Sequence, residues 1–586
     1  MRSRGRRRSL LLSSSVTALL VGGGAPAFAA CYSGPFPFTN NGALSCITVS
    51  ATSFTGNVVN SATGVIAPGG PTGILVTNAS TITGQISNAG AITAGRTGIL
   101  VNNNSVVTNG IVNSGTLASG STGILVINTA TFGGGISNSG TITSTIRSGI
   151  DVVNVGTFSG GIANSGTILV RDTGIFVLAL ATFTGGISNS GTITGGQSGI
   201  VVSSVDTFTG GISNSGTVVA GTNGISVRNG GTFQGGIFNS GSISAFISGI
   251  AVSGLTAFSG GISNSGTITA AFGAGISVFF VDTFTGGISN SGTIATRRAG
   301  ISVEFVDTFL GGISNSGTIA AGLGGGKGGG AGIVAASVDV FGSATAGGGI
   351  TNSGSIAAAR SGIAVFGVST FYGGISNSGT LSVATSKKGG SAIGIVVAAF
   401  DTFMGGIANS GRIIVAGSSS VGIAVGSFFG GGTFLGGITN SGTISAGIAG
   451  IDVSGVASFG GGITNAGLIS LGGFGGGGGA SSVGISVRGV GLFTGGITNS
   501  GTITGVGLGI DICGCVTAFS GGITNSGLID ATGVGISVAV ATFNGNIVNT
   551  GTIHGGFAAI DVSGALNAIT IDQNAEIGRA SCRERV

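Results

Sequence analysis

Few residues in this chain have the type and spacing to do chemistry. His554 is the only histidine, so at most one imidazole-based site exists. It stands in Thr-Ile-His-Gly, which reads as a solvated corner. No Gly-x-Ser-x-Gly or Gly-Asp-Ser-Gly pattern marks a serine nucleophile, and the calcium nonapeptide Gly-Gly-x-Gly-x-Asp does not occur. The carboxylates fall into two columns. Asp206, Asp282, Asp307 and Asp401 each precede Thr-Phe, and Asp151, Asp452, Asp511 and Asp561 each follow an Ile. A glycoside hydrolase needs carboxylates that converge on one groove. Both columns read instead as outward, solvated positions, with a cation between Asp282 and Asp307 as the metal alternative. We therefore expect no catalytic residue, no resident metal and no cofactor.

The elements that carry these residues repeat, and the repeat decides the fold. One copy runs Thr131-Phe132-Gly133-Gly134-Gly135-Ile136-Ser137-Asn138-Ser139-Gly140-Thr141-Ile142 and continues, after a variable piece, as Gly149-Ile150-Asp151-Val152. With its Asn as marker there are nineteen copies, from Asn60 to Asn549, most often 25 residues apart. Phe132, Gly134, Ile136 and Asn138 share one parity and so one face of a strand. Ile150 and Val152 repeat the alternation, and Asn-Ser-Gly pieces supply corners. No helical period competes. The pattern predicts an all-β, right-handed parallel β-helix over residues 54–575, of about nineteen turns stacked ~4.8 Å apart. Two inward columns are expected. One is aromatic (Phe132, Phe158, Phe183, Phe208, Phe233, Phe258 and onward), with Ile82, Val107 and Ala346 in the same slot elsewhere. The other is an amide ladder through Asn138, Asn164, Asn189, Asn214, Asn239, Asn264 and their copies. One turn alone cannot bury enough surface to offset its ordering, so the stack must fold cooperatively.

Composition agrees. The chain has 586 residues, 127 Gly, only 5 Pro and 6% charged residues, which suits neither collagen nor a disordered chain. Its basic charge sits at the ends. Without the five Arg of the first eight residues and the charges of the last eleven, twelve basic and thirteen acidic residues remain. Nothing in that balance steers toward nucleic acid or an anionic membrane.

Residues 1–29 read as a signal peptide. Five Arg precede an apolar stretch from Leu10 to Val21, and Ala27-Phe28-Ala29 gives the cleavage pattern. That stretch is too short and too interrupted for a membrane-spanning helix. Residues 30–53 read as an N-terminal cap. A disulfide between Cys31 and Cys46 would close a short loop in an oxidising compartment, with lipidation of Cys31 as the alternative. Cys513 and Cys515 are open to either redox state. Four intervals are long (Asn315–Asn352, Asn377–Asn409, Asn409–Asn440 and Asn465–Asn499). Their Gly-rich excess includes Gly324–Gly330, Lys387-Lys388-Gly389-Gly390 and Gly475–Gly479, which would emerge on one edge as contact loops.

The tandem Gly-Gly-Ile-Ser-Asn-Ser-Gly-Thr-Ile units, after this leader and a Cys31…Cys46-Ile47-Thr48-Val49 start, resemble the passenger regions of autotransporter-type outer-membrane proteins, in their Gly/Ser/Asn-rich alphaproteobacterial version. The resemblance implies export and display at the cell surface through a C-terminal β-barrel translocator. It further implies an adhesive or structural role toward a host-cell or extracellular polysaccharide or protein surface. A carbohydrate-active enzyme is the alternative. An ice- or crystal-binding solenoid ranks below it, because Thr141/Thr143-type pairs recur in too few turns. The chain departs from the family after Asn574. No barrel strands follow, and residues 576–586 resemble the read-through of a sequencing adapter, so the expected translocator is missing from this sequence.

Overall fold

Each repeat alternates β-branched residues with small polar ones and ends at glycines, and it folds accordingly as short strands joined at tight corners. The computed structural model describes residues 30–67, 70–322, 330–345, 347–384, 392–426, 431–472, 481–573 and 577–578. In the turn of Asn138 the strands are Ile136–Asn138, Thr141–Ser144 and Ile150–Phe158. The last is two strands in one, bent where Asn154 takes a positive φ of 52°. Its inward residues Ile150, Val152, Val155 and Phe158 are all buried. Gly160 and Gly161, both at positive φ, then turn the chain into Ile162–Asn164.

Every strand pairs in parallel with its own copy one turn on: Ile136 with Ile162, Thr141 with Thr167, Phe158 with Phe183. The chain is thus an all-β parallel solenoid, and its Asn-bearing sheet has 21 strands, which makes a rod of about 95 Å at ~4.8 Å per turn. Glycine is needed where successive corners nearly touch. At Gly211, φ is 70° and an added Cβ would lie 2.4 Å from the Gly235 carbonyl oxygen.

The two predicted columns run through the interior. Each ladder Asn donates from Nδ2 to Oδ1 of the next, at 2.7 Å for Asn138 to Asn164, Asn164 to Asn189, Asn189 to Asn214, Asn214 to Asn239 and Asn239 to Asn264. The second amide hydrogen goes to a local carbonyl, as from Asn138 to Gly140. The ladder begins one turn earlier than the markers, at Asn40, which donates to Asn60 at 2.8 Å. Phe38-Thr39-Asn40-Asn41-Gly42-Ala43-Leu44 is a disguised copy inside the segment read as a cap. The backbone pairing extends past Asn549 to Gln573.

The aromatic column is parallel-stacked from Phe132 through Phe543, with ring centroids 4.6 to 5.2 Å apart. One slot differs from expectation. Phe341, not Ala346, pairs with Phe309 and Phe371; Ala346 lies outside the described residues. The long interval Asn315–Asn352 therefore holds extra chain in two places, before Ala331 and after Phe341. The leader, the Gly-rich segments within 323–329, 385–391 and 473–480, and most of the tail lie outside the described residues. Ile577 and Gly578 pair with Ile553 and His554. Among the described residues no helix is long and apolar enough to cross a membrane.

Candidate functional site

With the interior filled, chemistry falls to the outward side chains. Cys31 and Cys46 are bonded at the N-terminal end, and Cys513 is bonded to Cys515. The Asp206 column is exposed, as expected, and the corrected register adds a member. Asp339 aligns with Asp307 once Phe341 takes the aromatic slot, so Asp282, Asp307 and Asp339 occupy three successive turns. No group of three potential ligands that could hold a metal ion occurs among the described residues. His554 lies in the strand Thr552–Gly555, not at a corner, with Nδ1 3.9 Å from Asp530.

The second column departs from expectation. Asp151 and Asp452 are not solvated; each is 7% exposed and each has an Oδ1 with no hydrogen-bond partner. The Oδ2 of Asp452 is 2.9 Å from the Arg488 guanidinium. Arg488 also faces Asp511, whose carboxyl is raised above the ordinary range by burial, against the opposing pull of Ser537 and Arg488.

Asp151 sits differently, in a groove of about 470 Å³. The outward position it occupies is filled in the next three turns by Phe176, Val201 and Ser226. Beside that row run Ser148, Thr173, Ser198 and Asn223. A ridge of corner residues, Arg147, Asp172, Gln197, Thr222 and Ile247, forms the wall, linked backbone to backbone from turn to turn. Arg228 closes the other side. Burial is the main reason the Asp151 carboxyl is pushed up to about 7, and Asp172 adds to it. Ser148, Arg147 and Thr122 pull the other way; the Thr122 hydroxyl donates at 3.5 Å. A carboxyl in this state can donate a hydrogen bond at neutral pH, and the groove around it presents hydroxyls, amides, one ring and two guanidinium groups.

The columns also conceal a second outward feature. Phe279, Phe280 and Phe305 are exposed and in ring contact, at 4.1 Å between Phe279 and Phe280 and 5.2 Å between Phe280 and Phe305. Phe280 and Phe305 hold positive φ angles of 52° and 54°, at the corner where other turns place Asn154, Ala179, Ser204, Asn229, Gly254 or Ser337. Parity conceals it, since Phe280 is in step with the inward Phe284 and faces out only because the strand bends at its positive φ. No family model, curated protein or solved structure matches this chain.

Proposed function

We propose that this chain is the exported passenger of an autotransporter-type surface protein, a structural and adhesive β-solenoid without catalytic activity. One observation carries the adhesive part. A bulky residue at positive φ costs about 1–2 kcal/mol, and a half-exposed phenylalanine recovers only part of its burial. Phe280 and Phe305 do both on adjacent turns. Other turns hold the small residues Asn, Gly, Ala or Ser there, so the ring cluster fits a contact role. The repeat supports the structural part, since a rigid rod holds such a patch far from its anchor. The leader-like residues 1–29 and the resemblance of the repeat support export to the surface.

The test coats beads with the chain and measures their retention under flow on polysaccharide, extracellular-matrix protein and host-cell surfaces. Phe280→Asn with Phe305→Asn should leave melting unchanged or raised and cut retention at least fivefold. Retention on no surface, or retention equal in wild type and variant, would sink the adhesive reading. A carbohydrate-active enzyme is the second reading, favoured by Asp151 and Asp172 in one groove. New reducing ends released from a polysaccharide by the chain would establish it instead.

A further inference from the structure

We infer that the groove from Arg147 to Ile247 binds an acidic carbohydrate segment lying along the rod axis. The inference rests on the surface reading only for where the chain would meet such a glycan. Its own ground is geometric. The groove crosses five turns, roughly 20 Å at ~4.8 Å per turn, so an extended chain fits it and a compact metabolite does not fill it. Its lining is hydroxyl and amide chemistry in ranks: Ser148, Thr173, Ser198 and Asn223 in one row, Gln197 and Thr222 on the ridge. Such side chains exchange hydrogen bonds with sugar hydroxyls, and Phe176 offers a ring for the apolar face of a sugar.

Three features give the sign of the ligand: two arginines, their lack of a partner carboxylate, and Asp151. Arg147 and Arg228 line the groove three turns apart, and neither has a carboxylate within 4.0 Å among the described residues. Guanidinium groups free to make paired hydrogen bonds select carboxylate or sulfate groups. The third feature is Asp151. Its Oδ1 has no partner although the side chain is buried, and a buried polar atom is normally satisfied. A ligand hydroxyl or ring oxygen in the groove would complete it. The protonated carboxyl donates to such an oxygen and adds no negative charge. Losing its proton would place a second anion beside Asp172 and repel an acidic ligand. The charged groups around it are Arg147 and Asp172 on the ridge, exposed Arg171 beside Asp172 in the chain, and Arg228 three turns on.

The full chain is titrated by calorimetry with three probes: hexagalacturonate, neutral galactohexaose and hexaglutamate. Hexagalacturonate should bind at least tenfold more tightly than either of the others at pH 6. Its affinity should fall about tenfold between pH 6 and pH 8, and Asp151→Asn should remove that fall. Arg147→Gln with Arg228→Gln should cost at least tenfold, with melting unchanged. Hexaglutamate binding as well as hexagalacturonate would make the groove a peptide or general anion site and overturn the proposal. So would the absence of hexagalacturonate binding, or binding unaltered in the double arginine variant. Bead retention that persists while hexagalacturonate fails to bind would reject the groove and leave the adhesive reading standing.

Discussion

The strand Ile150–Phe158 has an inner and an outer side that follow different rules. Inside, Ile150, Val152 and Phe158 meet Ile175, Val177 and Phe183 above them, and the same types recur turn after turn. Outside, one register position holds Asp151, Phe176, Val201 and Ser226 in succession. An inward side chain is packed between copies of itself, so any change of shape is felt by two neighbours. An outward one is free to vary, and neighbouring turns then combine unlike residues into a surface. The repeat thus supplies the scaffold and its irregularities supply the chemistry.

The sharpest way to break this contrast is to treat an inner position as an outer one. Phe208 and Phe233 are 1% exposed and stacked 4.6 Å apart. Truncating one buried Phe costs about 3–5 kcal/mol, and a buried unpaired charge costs more. Phe208→Asp with Phe233→Asp should abolish folding of the central turns. Limited proteolysis should then cut between Asn189 and Asn264, with a matching loss of far-UV signal. An unchanged melting curve would refute the inward column. The same change at an exposed outward position, Thr217→Asp, should be nearly silent in both readouts.

A smaller effect is expected in the amide ladder. Asn214→Ala removes the acceptor of Asn189 and the donor to Asn239. Two buried amide groups lose a partner at about 1–3 kcal/mol each, so local stability should drop by about 3 kcal/mol. Ser213→Ala, exposed on the same strand, should change it by no more than about 0.5 kcal/mol. Hydrogen exchange of the Ile212 and Ile237 amides measures both locally, which suits a stack whose turns need not open together. Equal effects from the two changes would mean that the ladder contributes no more than a surface residue does.

These columns were legible in the sequence because they recur with one type in one slot. Two positions escape that recurrence, for different physical reasons. Asn40 was missed because Phe38 and Leu44 replace the usual Ile on either side, and chemistry that packs alike need not look alike. Ala346 falls in the aromatic slot only if the six-residue spacing to Asn352 holds, and inserted chain breaks that spacing. The strand register assigns Phe341 instead, and the same slip hid Asp339 from the acidic column. The groove was legible in none of these ways. Arg147, Asp172, Gln197 and Thr222 share no type, and only stacking in exact register brings them into one wall. Reading Asp151 as solvated followed from its outward parity, but parity says which side a residue faces and not what stands beside it.

That difference between facing out and being solvated gives the subtlest prediction. Folding pushes the Asp151 carboxyl from 3.8 up to about 7, so the folded state holds a proton that the unfolded chain has already released. Between about pH 4 and pH 7 the folded state binds more protons than the unfolded one, and stability must fall as pH rises. Above about pH 7 both states are deprotonated there and the dependence ends. A shift of this size corresponds to about 4 kcal/mol in full, and water and relaxation in the groove should reduce the observed change to about 1–2 kcal/mol. Asp151→Asn keeps the shape and removes the charge. It should therefore stabilise the turns around Asp151 by that amount at pH 8, and leave them unchanged at pH 4. Hydrogen exchange at Ile150 and Val152, compared at the two pH values, measures it. A variant equally stable or weaker at pH 8 would show that Asp151 is solvated after all, as its parity alone suggests.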